Sequence, residues 1–131
     1  MKPEPKQVPR STEAEPEASA LDPAVTARLR SLAESDPTVL DEIYHAFLTS
    51  AQEYLAALRK AAQAGDPDAV AKAAHAFKGA CGNIGASNMW EICRQLELLG
   101  NSRSVVGADE LTRHLERESA RVKIEIEKQS L

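Results

Sequence analysis

Apolar residues along this chain recur three and four apart, the spacing of amphipathic helices, from about residue 23 to residue 128. The pattern is sharpest between Val70 and Ile84. At about 100° per residue, Val70, Ala74, Phe77, Cys81 and Ile84 fall within roughly 80° of one another on the helical wheel. That is the stripe a packed helix turns to its core. An earlier stretch sets Leu40, Ile43, Tyr44, Phe47, Leu48, Ala51, Tyr54, Leu55 and Leu58 on one inward face. Met89, Ile92, Cys93, Leu96 and Leu99 mark another helix, and Leu111, Leu115, Val122 and Ile126 a last one. No segment alternates with period two over a useful length, so no sheet is expected.

Three Asp-Pro pairs punctuate this pattern, at Asp22-Pro23, Asp36-Pro37 and Asp66-Pro67. Aspartate caps a helix N-terminus and proline fits its first turn. The pairs predict a short helix from Pro23 to about Ala33, a long one from Pro37 to Ala64 ended by Gly65, and a third from Pro67 to about Gly82. Gly82-Asn83-Ile84-Gly85 closes the third, and Ala86 or Ser87 opens a fourth that stops at Gly100. A polar connection over 101–107 leads to a final helix from Ala108 to about Lys128. Four long helices on short loops predict an all-α fold, an antiparallel up-down-up-down four-helix bundle with a short additional N-terminal helix over one end. Residues 1–20 hold Pro3, Pro5, Pro9 and Pro16 among glutamates and carry no large apolar cluster. Such a stretch buries too little surface to offset its ordering entropy. It is expected to be a disordered tail or interdomain linker, with 21–131 forming the bundle.

His75 stands out on the third helix. It lies about 140° from Val70 on the wheel, on the polar side. Ala71, Gly79 and Gly82 share that side, and Lys78 flanks it. Glycine within a helix costs about 1 kcal/mol relative to alanine, so two glycines three apart beside one histidine need a reason. Removing side chains from the surface lets a second molecule come close. Glycines serving helix packing would fall on the Val70–Phe77 side, and these do not. His45 and His114 lack such surroundings and read as solvated polar residues.

Composition narrows the functional classes. A chain of 131 residues suits one domain with a single core. Apolar residues make up 43% and aromatics only 4%, so alanine and leucine carry a core suited to helices. A net charge of −4 disfavours nucleic acid as partner. No apolar window is long enough to span a membrane and no charged-then-apolar leader opens the chain. Cys81 and Cys93 fall on apolar stripes and read as small buried hydrophobes rather than a disulfide or metal ligands. A reducing cytoplasm is the expected setting, and a bundle closed within one chain is expected to be a monomer.

Catalytic constellations are scarce. The six glycines form no phosphate-cradling loop. There is no Cys-x-x-Cys and no His-Glu-x-x-His, and the glutamate-rich last helix reads as a solvated face. Neither cofactor nor metal is expected, and nothing offers ATP a seat. What remains is a nucleophile. Imidazole, with a free pKa of about 6.5, is largely unprotonated near neutrality. Its free nitrogen can attack an activated phosphoryl group, and Lys78, one turn on, can offset charge on the phosphoryl oxygens.

Residues 36–125 resemble the histidine-containing phosphotransfer (HPt) domain of bacterial multistep phosphorelays. The likeness rests on His75-Ala76-Phe77-Lys78-Gly79, on Gly85 six residues further on, and on Phe47-Leu48, Leu55 and Leu58 followed by Ala64-Gly65-Asp66. It implies a four-helix bundle with the phosphoaccepting His75 exposed midway along one helix and Lys78 acting on the phosphoryl group. It also implies that Gly79 keeps the docking surface open and that Gly85 matches the glycine after the active helix. Ala71 and Gly82 join the docking surface from the wheel, and the Tyr44–Ala51 stretch of the second helix supplies further candidates. The implied partners are receiver domains that hold phosphate on aspartate, one in a hybrid sensor histidine kinase and one in a response regulator. The chain would have no ATP site of its own, and Mg²⁺ would belong to the partner. Such a carrier would be cytoplasmic, either free or tethered as the C-terminal domain of a membrane sensor kinase. The alternative is a regulatory docking module that binds a non-receiver protein through the same bundle.

Overall fold

Aspartate side chains hold the starts of the first three helices, as their sequence context requires. The Ala24 N–H donates to Asp22 Oδ1 at 2.9 Å, and the Ala69 N–H donates to Asp66 Oδ1 at 3.1 Å. Each bond satisfies one of the orphan donors of a first turn. Asp36 takes both the backbone N–H and the hydroxyl of Thr38, at 3.2 and 2.7 Å. The structure, a computed structural model, describes residues 19–129. Its helices are α1 (Pro23–Leu32), α2 (Thr38–Ala64), α3 (Pro67–Ile84), α4 (Ser87–Asn101) and α5 (Ala108–Gln129).

The four long helices form an antiparallel up-down-up-down bundle. Each packs on the next, and α2 meets α5 to close the ring. Among the described residues there is no strand, and no helix is long and apolar enough to cross a membrane. The α3 stripe sits at the centre: Val70, Ala74, Phe77 and Cys81 are fully buried and Ile84 nearly so. Tyr54 stacks on Phe77 at 5.0 Å between ring centroids, and Phe47 lies 6.3 Å from the same ring. Full burial of one such side chain contributes about 1.5–3 kcal/mol. Leu115, Val122 and Ile126 supply the core face of α5, while Leu111 is half-buried. Ala108, Thr112 and Ser119 are buried on the same face, the Thr112 hydroxyl donating to the Ala108 carbonyl at 2.7 Å.

Two glycines set how closely α3 is approached. Gly85 follows α3 with φ of +79°, the left-handed conformation that ends a helix without a Cβ penalty. A Cβ there would stand 2.7 Å from Val25 Cβ, so α1 rests directly on this backbone. The Asp22 N–H donates to the Gly85 carbonyl at 2.8 Å and ties the same junction. Gly100 departs from the expectation that it stops α4. The helix runs on to Asn101, and Gly100 is buried against α3. A Cβ there would lie 2.5 Å from the Pro67 carbonyl oxygen and 2.8 Å from the Ala71 nitrogen. The residue is glycine because two helices meet there, not because one ends. The third helix likewise passes through Gly82 and ends two residues later.

Cys81 of α3 and Cys93 of α4 are both buried and both free thiols. A hydrogen bond between them, followed by burial, pushes the Cys81 thiol far up from its ordinary pKa. Residues 1–18 of the expected tail lie outside the described residues. Ser19 donates to Glu125 at 3.1 Å, and Ala20 and Leu21 are buried against the bundle.

Candidate functional site

His75 emerges from the α3 face opposite the core stripe, with 71% of its side chain exposed. The Val70–Ile84 stripe fixes the roll of the helix, and that roll carries the imidazole outward. The ring is nonetheless oriented, because Nδ1 lies 2.8 Å from Oε2 of Glu97 on α4. The other oxygen, Oε1, lies 2.7 Å from Lys78 Nζ. One carboxylate therefore bridges two side chains that are one turn apart on the neighbouring helix.

The electrostatics follow from this bridge. The hydrogen bond from Lys78 is the main reason the Glu97 carboxyl lies below the ordinary glutamate range, and the His75 contact adds to it against a desolvation penalty. Glu97 is thus ionised near neutrality. An ionised carboxylate only accepts, so Nδ1 of His75 is the donor. In the neutral ring the lone pair then resides on Nε2. Lys78 has a second neighbour on α4, with Nζ 5.6 Å from the centre of the Trp90 ring.

The expected docking residues divide three ways. A Cβ at Gly79 would meet nothing within 4 Å, so the surface one turn beyond His75 is bare. Gly82 is exposed beside Trp90, whose Cδ1 would stand 3.6 Å from an added Cβ. Ala71 is half-buried instead and lies in the α3–α4 seam against Gly100. The wheel treats α3 in isolation, whereas the close approach of α4 covers that part of its surface. From the Tyr44–Ala51 stretch, Ala46, Phe47 and Ser50 line a shallow groove with Ala80, Asn83 and Ile84 of α3. Tyr44, Phe47 and Ala51 are core residues. His45 and His114 are exposed. A larger groove of about 850 Å³ lies between α2 and α5 and includes none of His75, Lys78 or Glu97.

Glu97 and Trp90 are the site residues that sequence reasoning missed. They stand seven apart on α4, so they share a face at the edge of its apolar stripe. The glycine at Gly100, in line with Cys93 and Leu96, was the available sign that α4 presses closely on another helix.

A family model described as the Hpt domain matches residues 42–125. The fold is similar to the crystal structure of histidine-containing phosphotransfer protein B (HptB) from Pseudomonas aeruginosa PAO1, with a TM-score of 0.75 and 32% sequence identity. That match covers 88% of this chain and 99% of the other. No curated protein matches the chain.

Proposed function

We propose that this chain, which belongs to the Hpt domain family, carries a phosphoryl group on His75 Nε2 and passes it between receiver domains. Histidine phosphotransfer within a phosphorelay is the role of the family. The observation that carries it is the exposed His75 ring held at Nδ1 by Glu97.

The Nε2 lone pair attacks phosphorus of an aspartyl phosphate, forming the N–P bond as the acyl P–O bond breaks and the aspartate carboxylate leaves. The ring becomes a phosphoimidazolium that keeps its Nδ1 proton, and Glu97 offsets the new positive charge through the existing contact. Transfer onward is the reverse step, with a carboxylate oxygen of the next aspartate as nucleophile. Lys78 is placed to offset the charge of the phosphoryl oxygens. The step draws on no ATP, and Mg²⁺ would be held by the receiver domain. The donor is read as the receiver of a hybrid sensor kinase and the acceptor as a response regulator. Bare surface at Gly79 supports close docking of such a partner.

The test is incubation with a receiver domain phosphorylated on its aspartate. Acid-labile, base-stable label is expected on the wild type and none on His75→Gln. Label on His75→Gln equal to the wild type would overturn the assignment.

A further inference from the structure

Lys78 is held from α4 by two groups, and only one of them is charged. Glu97 Oε1 makes the ion pair at 2.7 Å, and the Trp90 ring lies under the ammonium at 5.6 Å, within the reach of a cation–π contact. The indole sits at the edge of the apolar stripe of α4 and remains 38% exposed, so it is not one of the core residues. Opposite it stands Gly82, where any side chain would come into contact with the indole edge.

We infer that Trp90 is a positioning residue for phosphoryl transfer, its indole face seating the Lys78 ammonium beside His75. This rests on His75 being the acceptor. A lysine side chain is long and has several rotamers, and fixing it costs conformational entropy. A carboxylate alone is an imperfect anchor, because it neutralises the charge that the phosphoryl group needs. An aromatic face holds a cation without neutralising it. When the phosphoryl oxygens arrive, the ammonium exchanges Glu97 for them while staying over the same ring, instead of being released to solvent.

The experiment follows the rate of His75 phosphorylation by phosphoramidate, a small donor that requires no protein docking. Its P–N bond breaks and ammonia leaves as the Nε2–P bond forms. Trp90→Leu is expected to slow the reaction about two- to fivefold, and Trp90→Phe to restore most of the rate. In a Lys78→Met background, Trp90→Leu should cause no further loss. Trp90 is the single tryptophan of the sequence, so its emission should change in Lys78→Met and reports the contact even where Trp90→Leu folds poorly. An equal loss with and without Lys78, no loss in Trp90→Leu, or emission indifferent to Lys78→Met would overturn the inference. Those outcomes are separable from failure of the acceptor reading, which would show as label on His75→Gln.

Discussion

Glu97 reaches from α4 to His75 on α3 with 2.8 Å between Oε2 and Nδ1, which fixes which ring nitrogen faces a visiting group. Exposed ion pairs contribute little to stability, so the value of this one lies in orientation and in the charge of the phosphorylated ring. Replacing Glu97 with alanine should slow phosphorylation of His75 about two- to tenfold, the size of one lost hydrogen bond. It should change thermal unfolding much less. Initial rates with a phosphorylated receiver domain, beside a melting curve, check both. A wild-type rate in Glu97→Ala would mean that the ring orients itself.

The depressed Glu97 pKa also sets a pH dependence. Ionised Glu97 stabilises the fold above its unfolded-state pKa of about 4.3, and that contribution is lost as pH falls through its lower folded-state value. The stability difference between wild type and Glu97→Gln should therefore shrink as pH falls below about 4.3. Urea unfolding at a series of pH values measures it. A difference independent of pH would show that the carboxylate charge plays no part.

Gly79 offers a steric test. Leucine is a better helix former than glycine, and nothing lies within 4 Å of the position its Cβ would take. Gly79→Leu should keep or raise stability. It should slow transfer from a receiver domain by about tenfold or more, equivalent to a docking clash of at least about 1.4 kcal/mol. Phosphorylation by phosphoramidate should be nearly unaffected. Equal slowing with both donors would locate the effect at the histidine rather than at docking.

Gly100 should respond with the opposite sign to Gly79. In an open helix, glycine to alanine gains about 1 kcal/mol. Here the new methyl would press on the Pro67 carbonyl and on Ala71. Gly100→Ala should destabilise the bundle by about 1–3 kcal/mol, as overpacking does. Denaturant unfolding would show it, and a stabilised variant would indicate that α3 and α4 separate readily.

The elements and the outward turn of His75 were legible because both follow from periodicity within one helix. Val70, Ala74, Phe77, Cys81 and Ile84 share one stripe, and all five are buried. The histidine's bearing follows from theirs. Glu97 and Trp90 were not legible, because their role depends on how α4 is rolled and how close it comes to α3. Neither quantity is written in the period of α4 alone. The same limit explains Ala71, whose place on the wheel is sound but whose surroundings belong to Gly100. A half-polar residue beside an apolar stripe is a solvated surface on an isolated helix and a partner in a bundle. Thr112 shows the converse: a hydroxyl occupies a core position by bonding to its own helix.

The sealing of Cys81 and Cys93 has a practical consequence. Both sulfurs are shut inside the protein, and the sequence contains no other cysteine. Thiol reagents should leave the native protein untouched, since the reactive species is an accessible thiolate. A single cysteine introduced at an exposed position such as Ser87 would then be the sole handle for a dye or spin label. The distance from α4 to a docked partner becomes measurable without first stripping the native thiols from the interior.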